Sequence, residues 1–346
     1  MKDFLIAGLA GISFAETAFL NNKSFVVVND TSQNSTRVAA GLYNPVILKR
    51  FSLPLDAAEH LHYIGPFYDR IEQRLKAKFN FKLPVYRKFA SVEEQNNWFE
   101  AADKPSLTPF LSTAIVHDKF SGLDSPFGFG EVLHTGYMDT DVFLNAYHQF
   151  LMDKGNLLKE TFDYAQLDIF DDHITYKGVA ARHIVFAEGF GIHANPYFKH
   201  LPLDGTKGEL FIIKAPGLKL DVAVNASIFI LPLGNDLFKV GATYEWYDKT
   251  ATPTEEGKRE LVEKLNDLIS CSYEIVEHLA GVRPTVKDRK SLIGTHPDYK
   301  NLHLLNGLGT RGVMLGPPMA KQLYDSIENG IEIDRSVSLM RFKRLS

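Results

Sequence analysis

Two glycine-rich turns stand near opposite ends of the chain, and both carry the residue types that hold an anion. The first is Gly8-Leu9-Ala10-Gly11, and the second is Gly307-Leu308-Gly309-Thr310-Arg311-Gly312, a complete G-x-G-x-x-G. Glycines let a backbone approach a phosphate closely, and a helix N-terminus adds free N–H groups and the positive end of a dipole. The first turn departs from the full pattern: Gly8 and Gly11 match its last two glycines, but Ile6 stands at the first. An acid at the end of the next strand would accept ribose hydroxyls. Eighteen residues after Gly11 stands Asn29, followed by Asp30. Two such turns suggest one long ligand with two electron-rich ends. For the first turn alone, a structural βαβ unit without a ligand is the competing reading.

Arg283 follows the apolar run 275–282 and opens Arg283-Pro284-Thr285. An arginine entering a core needs a partner. The spacing leaves two open: a carboxylate of the protein, making a structural ion pair, or a carboxylate of a substrate. Tyr244 and Trp246 follow Gly241-Ala242-Thr243 and read either as pocket wall or as plain packing.

The elements that must position these residues alternate between two patterns. Residues 4–7 read as a buried strand, residues 12–20 as the start of a helix, and Phe25-Val26-Val27-Val28 as a second strand, together a βαβ unit. The rival reading of residues 4–15, a signal peptide, has only Lys2 as a positive start, and Glu16 falls where cleavage would occur. Apolar spacing predicts helices over 56–77, after Asp139 and after Thr252. Gly65-Pro66 is expected to kink the first of these. Ser91 and Glu94 form a capping box. Thr252-Pro253-Thr254 predicts a helix with Pro253 at its first position. Residues 157–162, 184–187, 209–214, 227–231 and 237–243 read as strands, with Gly234-Asn235-Asp236 as a hairpin turn. His303-Leu304-Leu305-Asn306 is a strand leading into the second glycine turn. Pro317 and Pro318 are expected to mark the regular start of the helix beyond it.

The 346 residues suggest about two domains. With 45% hydrophobic and 23% charged residues, a disordered or collagen-like chain is excluded. The net charge of −4 gives no broad footprint for nucleic acid. The single cysteine, Cys271, cannot form an internal disulfide and fits a reducing compartment, so a cytoplasmic location is expected. No apolar run reaches the roughly 18 residues of a membrane span, and no metal site is expected.

The sequence resembles the D-amino-acid oxidase/glycine oxidase superfamily of FAD-dependent oxidoreductases (the DAO family), and within it the oxidase half of the tRNA 5-methylaminomethyl-2-thiouridine biosynthesis protein. The resemblance covers nearly the whole chain. It is carried by Gly281-Val282-Arg283-Pro284-Thr285 through Asp288-Arg289, by Leu292-Ile293-Gly294, and by residues 306–314. Support comes from residues 35–41, from 183–189 and from Lys207-Gly208-Glu209. It implies an α/β Rossmann-like FAD-binding domain interleaved with an α+β substrate domain carrying an antiparallel sheet. The first is expected over 1–80, 138–195 and 285–346, and the second over 81–137 and 196–284.

The resemblance also implies non-covalent FAD, since Cys271 matches no covalent attachment. Gly8, Leu9, Ala10 and Gly11 would lie at the pyrophosphate, and Asn29 and Asp30 would face the adenosine ribose. Ser35, Arg37, Ala39, Ala40 and Gly41 would run beside the phosphates and isoalloxazine, and Gly189 would close the adenine side. Gly307, Gly309, Thr310, Arg311, Gly312, Val313 and Met314 would follow the flavin's pyrimidine edge. Arg283 matches the substrate-carboxylate arginine, with Tyr244 beside it. Lys239 resembles the oxygen-activating lysine of sarcosine-oxidase relatives; a lysine snorkelling from a sheet edge is the plainer reading. The implied activity is oxidation of an amino acid or N-substituted glycine by hydride transfer from the carbon α to the amine onto flavin N5. Two alternatives remain. One is a tRNA wobble-uridine modifying oxidoreductase, with Arg341, Lys343 and Arg344 at a basic surface. The other is a degenerate FAD-fold protein that only binds.

Overall fold

The computed structural model describes residues 1–30, 35–54, 56–117 and 120–342. Apolar residues fill the strand Lys2–Ala7 from Phe4 to its end, and the strand lies in the middle of an eight-stranded sheet, covered on both sides. Its side chains alternate as a pleat requires. Phe4 and Ile6 enter one core, with the helices Ile12–Leu20, Ala57–Leu75, Thr140–Asp153 and Gly312–Asn329. Leu5 and Ala7 enter the core on the opposite face. Val179–Phe186 and Phe25–Val28 pair with Lys2–Ala7 in parallel, with Ile6 opposite Val185 and Val27. Leu302–Asn306 and Leu157–Leu158 extend the parallel part on either side. Residues 4–28 are thus the expected strand, glycine turn, helix and strand.

A second eight-stranded sheet runs in the order Glu274–Arg283, Thr206–Lys214, Leu237–Gly241, Phe229–Gly234, Ala223–Asn225, Val85–Lys88, Phe129–Val132 and Leu111–Val116. All its pairings are antiparallel except that of Ala223–Asn225 with Val85–Lys88. One face packs Phe211, Phe238 and Val240 beneath Leu261 and Leu265 of the helix Glu255–Asn266. The other face presents Gly208, Leu210, Gly241 and Asn225 to a cavity. The chain therefore carries a Rossmann-like α/β layer and an antiparallel sheet. The first sheet takes its strands from residues 2–28, 157–186 and 292–306, and the second from 85–132 and 206–283. Among the described residues, no helix is long and apolar enough to cross a membrane.

Several local expectations hold. Asp139 accepts from Val142 N at 3.0 Å, and Ser91 accepts from Glu94 N at 3.2 Å. Asn235 and Asp236 both have positive φ, as a tight hairpin turn needs. Others are corrected. Thr254, not Thr252, caps its helix, accepting from Gly257 N, so Pro253 precedes the cap. Of the expected strand 157–162, only Leu157–Leu158 pairs. The last long helix starts at Gly312, five residues before Pro317. A proline within a helix leaves the carbonyl four residues back without its donor. For Pro317 that carbonyl belongs to Val313, and Tyr68 Oη donates to it at 2.7 Å. A side chain from the helix Ala57–Leu75 thus supplies the bond that the sequence of Gly312–Asn329 cannot.

Candidate active site

The cavity, about 370 Å³, lies between the carboxyl ends of the parallel strands and the open face of the antiparallel sheet. Two helices begin at its wall. Ile12–Leu20 and Gly312–Asn329 both lack a side-chain cap and an acidic residue in the first turn. Each therefore turns the positive end of its helix dipole to the cavity, while Ile12 N and Met314 N already bond to Leu9 O and Arg311 O. Leu9 and Ala10 line the cavity at the first helix start, and Gly309, Thr310, Gly312 and Val313 at the second. Gly189 and Gly309 hold φ near +58° and +55°, with open space where a Cβ would stand. Ser35, Ala39, Ala40 and Gly41 line the wall between them.

Other residues expected at this site sit behind its surface. A Cβ on Gly11 would overlap Ile6 Cγ2, and one on Gly8 would overlap Ala187 O. Both glycines serve close packing of the turn on its sheet, and Ile6 fills the space beneath Gly11. Gly307 packs on Val286 and Leu292, and Met314 is buried. Arg311 Nη2 donates to Asn44 O at 3.2 Å. Arg37 pairs with Asp141 at 3.0 Å and Asn145 at 3.1 Å, away from the cavity lining. Asn29 Nδ2 meets His148 Nε2 at 3.2 Å, and Asp30 accepts from Thr161 Oγ1 at 2.6 Å. Neither side chain is brought to the cavity wall.

Arg283 ends the strand Glu274–Arg283 and reaches the cavity over Gly208. A Cβ on Gly208 would overlap the guanidinium, so only glycine leaves this space. The guanidinium lies 4.5 Å over the Tyr244 ring. Nη1 contacts Lys207 O, and Nη1 and Nη2 contact Thr243 O, all at 3.3 Å. These are long for N–H···O bonds. Among the described residues, no carboxylate stands within ion-pair distance of Arg283. The structural ion pair left open by the sequence is not formed among the described residues, and burial pulls the guanidinium below its usual pKa.

Lys239 is buried on a central strand of the antiparallel sheet, which corrects its reading as an edge lysine. Its Nζ donates to Ala39 O at 3.0 Å, one layer behind the lining. Burial draws its pKa down, and the more distant Asp141, Asp139 and Glu277 oppose the shift. Tyr244 lines the cavity and is exposed; Trp246 is exposed but does not line it. Glu188 was not anticipated. It lies at the cavity beside Gly189, nearly fully buried. Burial raises its carboxyl to about 7, opposed by bonds from Tyr164 Oη and from Asn195 Nδ2 at 2.9 Å.

The family model described as DAO, FAD dependent oxidoreductase, matches residues 7–326. The chain belongs to the DAO family. In sequence it is 27% identical over 158 residues to glycine oxidase of Bacillus subtilis, covering 44% of this chain and 42% of that protein. It is 30% identical over 145 residues to the bifunctional tRNA 5-methylaminomethyl-2-thiouridine biosynthesis protein of Marinobacter nauticus, covering 38% of this chain and 23% of that protein. These alignments span less than half the length of either relative. In structure it resembles glycine oxidase from Geobacillus kaustophilus, with TM-score 0.76, 17% identity and 98% of each chain covered. It also resembles iminodiacetate oxidase from Chelativorans sp., with TM-score 0.76, 16% identity, and 97% and 99% covered.

The cofactor of this DAO-family oxidoreductase is FAD. The residues present fit it: two uncapped helix starts face one cavity, and the glycines at 189 and 309 leave its wall open. The missing first glycine does not close the turn, because Ile6 points beneath Gly11 and not into the cavity.

Proposed function

We propose that this DAO-family protein oxidises the CH–NH bond of an amino acid or N-substituted glycine. The observation that carries this reading is Arg283: a buried guanidinium at the cavity with long backbone contacts and, among the described residues, no carboxylate partner. Its planar fork suits a carboxylate bidentately. Bound this way, the substrate would have its α-carbon and amine fixed in direction within a cavity that Leu210 and Gly241 line. The amine must be neutral when the bond breaks. FAD, held non-covalently at the two helix starts, would supply the hydride acceptor, its N5. The imine left behind takes up water and separates into an oxo acid and an amine.

Lys239 has the second role. Its ammonium, held by Ala39 O, is a buried positive charge beside the wall and would stabilise superoxide as reduced cofactor meets oxygen. Lys239→Met should slow reoxidation by oxygen and leave reduction by substrate unchanged; equal loss in both halves would reject the role. Tyr244 covers Arg283 and shapes the entrance.

The test is an absorbance spectrum of the purified protein, then anaerobic bleaching against amino acids and N-alkyl glycines. A flavin spectrum that no amine bleaches would favour the binding-only alternative. The tRNA alternative draws on the Marinobacter relative. Of the basic residues that it invokes, Arg341 is occupied by Asp288, at 2.8 Å from Nε, and Lys343 and Arg344 lie outside the described residues.

A further inference from the structure

The cavity floor has a second polar corner, remote from Arg283. Asn225 ends the strand Ala223–Asn225, half-buried, and lines the cavity, while its neighbour Val224 packs into the core beneath the sheet. Its register partner on Val85–Lys88 is Arg87. Arg87 Nη1 donates to Asn225 Oδ1 at 2.8 Å and to Ala226 O at 2.9 Å. Its Nε and Nη2 are held by Glu94 Oε1 at 2.9 and 2.7 Å. A guanidinium has donors only, so chemistry dictates that the amide oxygen faces it. The amide NH2 is turned away from Arg87, and among the described residues it has no hydrogen-bond partner. The Ser227 hydroxyl lines the same corner.

The separation of the two corners is set by the sheet. Gly208, beneath the Arg283 guanidinium, lies on Thr206–Lys214. Between that strand and Ala223–Asn225 stand Leu237–Gly241 and Phe229–Gly234, making three inter-strand steps. At roughly 4.8 Å each, the backbones are roughly 14 Å apart. Leu210, Gly241, Phe229 and Asn225 stand in one register row across them. The floor between the two corners therefore carries the apolar residues Leu210, Gly241 and Phe229.

We propose that Asn225 is a specificity-determining residue that donates a hydrogen bond to an acceptor at the far end of the substituent on the substrate's amine. This rests on Arg283 holding the carboxylate. The substrate class is then an amino acid whose nitrogen bears a chain of several carbons ending in a carbonyl or carboxylate oxygen. Glycine and short N-alkyl glycines touch only the Arg283 end.

The test is binding to the flavin-loaded protein, read by the flavin's visible spectrum, so that no turnover is needed. Straight-chain dicarboxylates of increasing length are compared with monocarboxylates of equal length. In the wild type, the best dicarboxylate should bind about tenfold or more tightly than its monocarboxylate, as for a hydrogen bond to a charged group. Asn225→Leu should reduce that ratio to about one. Asn225→Asp, which keeps the contact with Arg87 but presents oxygen, should invert it and serves if the leucine variant fails to fold. Equal binding of both series by the wild type overturns the role of Asn225. If Arg283→Ala then abolishes all binding, the carboxylate reading stands alone. If no carboxylate perturbs the flavin and no amino acid bleaches it, both fall.

Discussion

Arg74 and Arg283 are alike in setting and opposite in partnership. Each lies over an aromatic ring: Arg74 is 4.4 Å from the Phe19 centroid and 4.8 Å from Phe150, and Arg283 is 4.5 Å from Tyr244. The Arg74 fork is closed by Glu16, with Nη1 at 2.8 Å from Oε1 and Nη2 on Oε2. Glu16 is fully buried and also accepts from Tyr147 Oη at 3.1 Å. Arg283 has backbone carbonyls at 3.3 Å and a cavity. A guanidinium with a protein carboxylate holds elements together; on the proposed reading, the one without a carboxylate is the one that takes a ligand. Aromatic cover does not distinguish them; only the carboxylate does.

The largest effects should fall on opposite measurements. Arg283→Ala should lower kcat/KM by about 10³-fold, or about 4 kcal/mol, as expected for loss of a buried bidentate charge pair. Flavin content and melting temperature should be unchanged. Arg74→Ala leaves Glu16 buried without its cation and should destabilise the fold by about 3–5 kcal/mol, with kcat/KM of the folded fraction unaltered. Loss of folding in the Arg283 variant, or loss of turnover alone in the Arg74 variant, would reverse the assignments.

Gly208→Ala sharpens the comparison without touching either arginine. Its Cβ would occupy the place of the Arg283 guanidinium, which must shift or turn. A misplacement of this size should lower kcat/KM by about 10–100-fold. KM for the substrate should rise, and binding of carboxylate ligands should weaken in parallel. Wild-type carboxylate affinity in this variant would mean that the carboxylate is held elsewhere.

The Arg74–Glu16 pair carries no local signal, but much of the frame around this contrast was legible in the sequence, because it rests on short-range features. The uninterrupted apolar run at 4–7, the two glycine turns, the hairpin at 234–236 and the caps at Ser91 and Asp139 are all short-range features. Arg283 was visible as an arginine following an apolar strand. What was not legible depends on contacts far apart in the chain. In helix Gly312–Asn329 the carbonyl that Pro317 frees is satisfied by Tyr68, 245 residues from Val313. Lys239 read as an edge residue because strand order is not written in a strand's own sequence. Asn29 fills the slot expected for the ribose acid and Asp30 stands one residue beyond it; their contacts with His148 and Thr161 join segments too far apart for spacing to show. Asn225 and Glu188 carry no local signal, since each depends on neighbours from distant segments.

Glu188 completes the comparison from the acid side, with the smallest expected effect. Glu16 is buried with a cation; Glu188 is buried with a hydroxyl and an amide only, Tyr164 and Asn195. Its carboxyl is pushed to about 7 by burial, against an ordinary value of 4.5. Between those values the folded chain keeps a proton that the unfolded chain has released. Stability from this group is therefore full below pH 4.5, falls as pH rises toward 7, and has been lost above it. The loss is at most roughly 3 kcal/mol. Glu188→Gln, which stays neutral, should match the wild type at pH 5 and exceed it at pH 8 by about 1–3 kcal/mol. Thermal unfolding of both proteins with saturating FAD across that range measures the gap. A gap that does not widen with pH would mean that Glu188 is ionised throughout, and that a buried acid here needs no cation to stay charged.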